Sequence, residues 1–219
     1  MRFPCSIPVV VLLLASAAGG SAEVIDRIAV SVGSSVITTS DIDSEIRVTA
    51  FLGGVKPDFS PASRRATADR MVEQKLVKRE LEISRYPVPE ASAVEPEFEA
   101  FRKAHYPSGS ELESALAQFG ITGQDVKAEL LWQLTLLRFI EVRFRPAVQV
   151  SEQDIQKYFD TTVKPLAEAA HPDQTASLDD YREAIQKTLT GKRADQELDN
   201  WLKEARQRTD IVYHDEALQ

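Results

Sequence analysis

The chain has 219 residues, 43% of them hydrophobic, and carries a formal net charge of −8 at pH 7. An acidic chain with only 7% aromatic residues has neither the basic surface nor the stacking side chains of a nucleic-acid-binding protein, so that class of function is excluded. The single cysteine, Cys5, precedes the predicted fold, which excludes disulfides, thiolate metal sites and cysteine nucleophiles.

The first 22 residues are typical of a secretory signal peptide. Arg2 supplies a positive charge, and an apolar run, IPVVVLLLASAA, follows it. The small residues Gly20 and Ala22 occupy the −3 and −1 positions of a cleavage site. The apolar run is short for a membrane anchor and no stop-transfer pattern follows it. We therefore expect cleavage after Ala22 and export of the remaining chain.

A β-hairpin and a helix are predicted next. Apolar residues alternate within Val24–Thr39, and Gly33 and Ser34 suit a two-residue type II′ turn. Because a lone hairpin is marginally stable in water, it needs a third strand or a helix against it. Ser40 is the predicted N-cap of the following helix, which ends at Gly53-Gly54.

Three further helices precede the middle of the chain. The first begins at Ser60, ahead of a proline that suits its first position, and runs to about Arg85. The second covers Pro96–His105. The third opens with a capping box at Ser110 and ends at Gly120.

The segment Thr122–Pro146 is predicted to be one long helix around which the others are organised. Thr122 and Asp125 have the spacing of a capping box, and Pro146 stops the helix. Apolar residues cover several of its faces, yet its charged residues make it too polar for a membrane span. The other segments therefore either wrap this helix or leave part of it free to bind another chain.

The remaining segments are predicted to close the fold. A short helix opens at Ser151, and Thr161–Ala176, with two prolines and small polar residues, is predicted to be a connector. Ser177 is the predicted N-cap of a last long helix with a bend at Gly191. The β-prone segment Asp210–Tyr213 is predicted to pair with the first hairpin, which would bring the two ends of the exported chain together.

No residue pattern indicates catalysis. His105, His171 and His214 follow no metal-ligand spacing. Gly191-Lys192 lacks the upstream glycines of a phosphate-binding loop. Paired acidic residues fall in the first turns of predicted helices, where the helix dipole accounts for them; a hydrolase that uses two carboxylates stays open as an alternative. We therefore expect no enzyme activity, no cofactor and no metal.

The order of these elements resembles that of the SurA-type periplasmic chaperones, which are related to parvulin prolyl isomerases. The opening VIDRIAVSVGSSVITTSDIDSEI is similar to the family pattern V-D-x-I-x-A-x-V-N-x-x-x-I-x-x-S-D, with Gly33 where the family often has Asn. The helix with Gln74–Val77 resembles the family's L-I-x-x-x-L helix. Val148–Phe159 resembles its V-S-x-x-E-h-x-x-Y-F segment, where h is apolar, and Leu178–Tyr213 resembles its C-terminal helix and strand.

The resemblance implies a mainly α fold, a multi-helix SurA-like chaperone core with a small N-terminal β-hairpin joined by a short C-terminal strand. After the signal peptide, 1–22, the chaperone domain covers 23–160, and 178–219 completes the same core. In the family a parvulin domain usually lies between these parts. Here only a linker, 161–177, takes its place, so no prolyl isomerase activity is expected.

The resemblance further implies an ATP-independent holdase in the periplasm. It would bind unfolded exported or outer-membrane polypeptides in an apolar groove, and its other expected partners are the outer-membrane assembly machinery or a second copy of the chain. The candidate client-binding residues are Phe98, Phe101, Trp132, Phe139 and Phe144. The competing hypothesis is a structural or assembly subunit of an envelope complex, which buries the same apolar helices permanently.

Overall fold

The computed structural model describes residues 26–171 and 174–219. The predicted signal peptide, its cleavage site and Cys5 lie outside these residues. Within them the chain is mainly helical with one small antiparallel sheet, which confirms the predicted mainly α fold class.

Three strands and a succession of helices make up the described residues. The strands are β1 (Ile28–Val32), β2 (Ser35–Thr38) and β3 (Ile211–Tyr213). The α-helices are α1 (Thr39–Leu52), α2 (Pro61–Ser84), α3 (Glu95–His105), α4 (Gly109–Phe119), α5 (Gly123–Arg143), α6 (Glu152–Tyr158), α7 (Lys164–Ala170) and α8 (Leu178–Arg208). A π-helical turn, Phe159–Val163, joins α6 to α7.

The sheet brings the first and last strands together. Its order is β2-β1-β3, and β3 runs antiparallel to β1 with Val32 opposite Ile211. The His214 amide donates to the Ala29 carbonyl oxygen at 2.9 Å, just beyond the paired residues. The predicted pairing of the C-terminal strand with the hairpin is confirmed.

The hairpin turn has the predicted two residues. Gly33 has a φ of 57°, while Ser34 has no positive φ, as a type II′ turn requires. An ideal Cβ on Gly33 would have room, its nearest neighbour being the Arg79 guanidinium at 3.5 Å, so the backbone angle alone favours glycine.

Two of the predicted helix caps are wrong by two residues. The N-cap of α1 is Thr38 rather than Ser40, and that of α4 is Ser108 rather than Ser110. In both cases an acidic residue three positions after the true cap, Asp41 or Glu111, completes a capping box, although Ser40 and Ser110 also have an acidic residue at that spacing. The predicted capping box of α5, at Thr122, is confirmed.

The predicted connector is largely helical, which corrects the sequence interpretation of 161–176. The π-helical turn and α7 occupy 159–170, so most of the predicted connector is helical. Pro165 directly follows the π-helical turn, and the backbone stays helical through 159–170 although the proline has no N–H to donate. The predicted bend at Gly191 does not interrupt α8, which is continuous across that residue.

Three hydrophobic clusters hold these elements together. The main cluster lies between the inner face of the sheet and α1, α2, α5 and α8. A second cluster joins the end of α1 to α3, α4 and the start of α5, and a third joins α6 and the π-helical turn to the first half of α8. The predicted central helix α5 therefore contributes to two clusters and leaves one flank outside both.

Candidate functional site

Two of the candidate client-binding residues are core residues. Phe139 is only 1% exposed, and its ring lies edge-on to those of Tyr86, Phe144 and Trp201, with centroid distances of 5.6, 5.5 and 5.6 Å. Phe144 is buried in the same cluster. The expectation that Phe139 and Phe144 face a client is therefore corrected: they fix α5 against α8, and a guest chain does not reach them.

Phe98 and Phe101 pack in the second cluster. Phe98 is buried, with the Lys127 ammonium 4.9 Å from its ring centroid. Phe101 is half-buried, 5.7 Å from the ring of Phe51. The expectation for Phe98 is corrected in the same way. The five candidates do not form one surface, and only Trp132 lies beside an open groove.

That groove, the α2–α5 trough, lies between the second half of α2 and the first half of α5. It encloses about 410 Å³. Val88, in the loop after α2, is 56% exposed at its rim, whereas Leu131 and Trp132 of α5 are partly buried, Trp132 against the main cluster. The lining residues are Lys78, Leu81, Glu82, Val88, Pro89, Ala128, Leu131, Trp132 and Thr135.

A second hollow, partly apolar and partly charged, adjoins the trough on the far side of Pro89 and has Glu97, Arg138 and Glu141 among its lining residues. The 3₁₀ turn Ala91–Val94 packs on α5, and Pro89 lines both the trough and this second hollow of about 550 Å³. Leu137, at the edge of this second hollow, is 56% exposed. Single exposed aliphatic residues are ordinary, but Val88 and Leu137 lie beside two adjoining hollows, an arrangement typical of a surface that contacts a partner.

The other end of the trough is polar. A hollow of about 220 Å³ between α1, α2 and α5 shares Lys78, Ala128 and Trp132 with the trough. Burial raises the pKa values of the Glu45 and Glu129 carboxyl groups that line it, and burial lowers the pKa of the Lys78 ammonium.

Each of these two carboxylates accepts a hydrogen bond from the side-chain amide of a glutamine. Gln74 donates to Glu45 at 3.4 Å, and Gln133 donates to Glu129 at 2.9 Å. The Lys78 ammonium lies 4.9 Å from the Trp132 ring centroid, a cation–π distance. The site therefore changes along α5 from a polar, partly desolvated end to an apolar one.

Sequence reasoning did not identify the polar end of this site. Asp125, Glu129 and Trp132 follow one another at i, i+4 and i+7 on α5, a spacing that places them on one face. Two acidic residues on one face of a largely apolar helix are the sequence feature that could have identified the polar end of the site. Glu45 and Lys78 come from other helices, and nothing in their local sequence connects them to it.

The described residues contain neither a cluster of metal ligands nor a helix suited to a membrane. Among residues 26–171 and 174–219, no group of three or more His, Cys, Asp or Glu side chains has the arrangement of a metal site. In the same part of the chain, no helix has both the length and the apolarity needed to cross a membrane. No protein-family model matches the chain, and none of the curated proteins has significant sequence similarity to it.

Proposed function

We propose that the protein is an ATP-independent periplasmic chaperone, a holdase that binds unfolded exported polypeptides, outer-membrane proteins among them. The open apolar surface along α5 carries the proposal, since Val88, Leu131, Trp132 and Leu137 leave apolar area exposed there. The resemblance of the sequence to SurA-type chaperones and the signal-peptide pattern of 1–22 support export and the class of client.

The size of the trough suits weak, reversible binding. The α5 residues that line it, from Ala128 to Thr135, span about 10 Å, enough for about three extended client residues. Burying about 200 Å² of apolar surface there would contribute about 5 kcal/mol. Ordering of the client and lost translational freedom offset most of this. A chaperone that uses no nucleotide needs such weakness, because its client must leave spontaneously.

Suppression of aggregation tests the holdase directly. An unfolded outer-membrane protein is diluted from urea into buffer with a several-fold excess of the purified protein, and light scattering follows its aggregation. We expect strong suppression by the wild type and weaker suppression by Val88→Ser and Leu137→Ser. Leu166→Ser is the matched control, since Leu166 is 70% exposed on α7 and lines neither hollow. Unchanged scattering with the wild type would refute the holdase.

The proposal includes the absence of prolyl isomerase activity. Between α6 and α8 the chain forms the π-helical turn, α7 and a short segment, so little chain is left for an inserted domain. We expect a proline-containing test peptide to isomerise at the buffer rate in the presence of the protein. A rate that rises with protein concentration would contradict this part of the proposal.

The alternative function, an assembly subunit of an envelope complex, could use exposed apolar residues on the outer face of the sheet. Val36, Ser31 and Val212 lie opposite one another across β2, β1 and β3, and both valines are 44% exposed. Light scattering at several concentrations separates the two functions. A dimer that persists on dilution and binds no apolar dye favours permanent assembly, whereas a dye-binding monomer favours the chaperone.

A further inference from the structure

The polar end of the α2–α5 trough carries an excess of negative charge. Its hollow is lined by four carboxylates and one ammonium group: Asp41 and Glu45 from α1, Lys78 from α2, and Asp125 and Glu129 from α5. Asp41 and Asp125 accept the helix-capping hydrogen bonds from the backbone amides of Thr38 and Thr122, at 2.9 and 2.8 Å. Glu45 and Glu129 take no part in a cap and are the carboxylates that a guest chain can engage.

Within the described chain, neither Glu45 nor Glu129 forms an ion pair shorter than 4.0 Å. The Lys78 ammonium lies over Trp132, and the Arg70 guanidinium donates to the Thr67 hydroxyl at 3.0 Å. Among the described residues, positive charges therefore act on these two partly desolvated carboxylates only at a distance. Binding of an additional cation between them is favourable for that reason.

We propose that the α2–α5 trough selects polypeptide segments in which a lysine or arginine lies within about three residues of an aromatic or large aliphatic side chain. This inference rests on the proposed chaperone function and names the class of client segment for the same site. The cationic side chain lies between Glu45 and Glu129, and the apolar side chain packs on Leu131 and Trp132.

The spacing follows from the geometry of α5. Along the axis of this helix, Leu131 and Trp132 lie about 3 and 4.5 Å beyond Glu129, and Thr135, at the far end of the trough, lies about 9 Å beyond it. Three residues of an extended chain span about 10 Å. A segment of this kind therefore places its charge and its apolar side chain in the two parts of the trough at once.

The selection depends on pH in a defined direction. A bound cation favours the ionised forms of Glu45 and Glu129, so protonation of these groups competes with binding. Because burial raises the pKa values of both, the preference for a basic segment is complete well above pH 4.5 and weakens as the pH falls through the raised pKa values. The other charged groups at the hollow are Asp41, Asp125, Lys78 and Arg70.

Three fluorescent peptides test the proposal. They share one sequence with an apolar pair, Phe-Leu, and differ two residues before it, where they carry lysine, norleucine or glutamate. Fluorescence anisotropy measures their affinity for the purified protein. We expect the lysine peptide to bind roughly three- to tenfold more tightly than the norleucine peptide, as a partly exposed ion pair allows, and the glutamate peptide to bind most weakly.

Substitution of the two glutamates tests whether they cause the preference for the lysine peptide. In Glu45→Gln and Glu129→Gln the lysine peptide should lose its advantage, while the norleucine peptide keeps its affinity. Glu183→Gln, an exposed position on α8, is the matched control and should change neither.

The outcomes separate this inference from the proposed function. Equal binding of the lysine and norleucine peptides, or a lysine preference that survives both substitutions, overturns the inference and leaves the holdase intact. Absence of binding by all three peptides overturns the inference; the holdase then falls as well only if aggregation is not suppressed.

Discussion

At the scale of single residues, the structure separates apolar side chains that hold the fold from those that face solvent. Phe139 and Leu137 are two positions apart on α5, yet Phe139 is enclosed by three aromatic rings and Leu137 projects into the second hollow. Sequence reasoning treats both as apolar residues of one helix. Their different roles depend on which neighbours reach them.

We predict that Phe139→Ala lowers the free energy of unfolding by about 3–5 kcal/mol, because it leaves a cavity between α5 and α8. Leu137→Ala on the same helix is the control, and it should change stability by no more than about 0.5 kcal/mol. Urea denaturation followed by circular dichroism measures both. Similar losses for the two variants would contradict the assignment of Phe139 to the core.

Asp154 gives a pH-dependent prediction. The hydroxyl and amide of Ser151 donate to its carboxylate at 2.6 and 2.9 Å, and Arg193 pairs with it at 2.9 Å. These bonds, those from Ser151 first, lower its pKa from 3.8 to about 2. Since the pKa is lower in the folded state, the carboxylate stabilises the fold above pH 3.8, and this contribution is lost as the pH falls through about 2.

We therefore expect Asp154→Asn to be less stable than the wild type at neutral pH, with the difference closing in strong acid. Acid unfolding curves of the two proteins measure this, with Asp199→Asn, an exposed position on α8, as the control. A difference that stays constant from neutral pH to pH 2 would rule out the carboxylate as its cause.

At the scale of elements, helix ends were predictable only where a local rule selects one residue. Thr122 with Asp125 satisfies the capping-box spacing and was predicted correctly. At α1 and α4 the rule fits two hydroxyl residues, since Thr38 and Ser40, and likewise Ser108 and Ser110, all have an acidic residue three positions on, so the spacing does not select the cap.

The helix α7 was missed for a different reason. Pro165, the alanines and the small polar neighbours of α7 indicate a connector when only composition is considered. A proline in the first turn is compatible with a helix, and the third hydrophobic cluster lies directly before it.

The caps of α5 and α8 form a matched pair for experiment. We predict that Thr122→Ala lowers the free energy of unfolding by about 1 kcal/mol, because the Asp125 amide loses its acceptor. Ser177 occupies the N-cap of α8 but its side chain makes no capping hydrogen bond, so Ser177→Ala should cost clearly less. Denaturant unfolding compares the two, and equal losses would show that the hydroxyl–amide bond of Thr122 contributes nothing.

At the scale of the whole molecule, the three-stranded sheet was predictable because two segments far apart in the sequence each lack a partner strand. A hairpin too small to be stable alone and a β-prone C-terminal segment predicted the three-stranded sheet. The candidate site was not predictable to the same degree. The trough arises where α1, α2 and α5 meet, and the sequence of each helix alone does not indicate which of its flanks remains uncovered.

The three hydrophobic clusters should differ in local stability. The third cluster contains three buried residues, Ile155, Phe159 and Ile185, whereas the main cluster includes strands and four helices. We predict that amides of α6 and α7 exchange with deuterium well before those of β1, because less apolar surface resists their opening. Hydrogen exchange measured by NMR or mass spectrometry tests this order. Equal protection of α6 and β1 would show a single cooperative unit.

The position of β3 beside β1 also constrains biosynthesis. The hydrogen-bonded pair Ser31 and His214 is separated by 183 positions in the chain. A ribosome releases these residues in order, so the hairpin emerges well before its edge partner β3. During that interval the inner faces of Val30 and Val32 are without their final cover. Closure of so long a loop slows folding, and the chain is consequently open to misassociation until β3 pairs with β1.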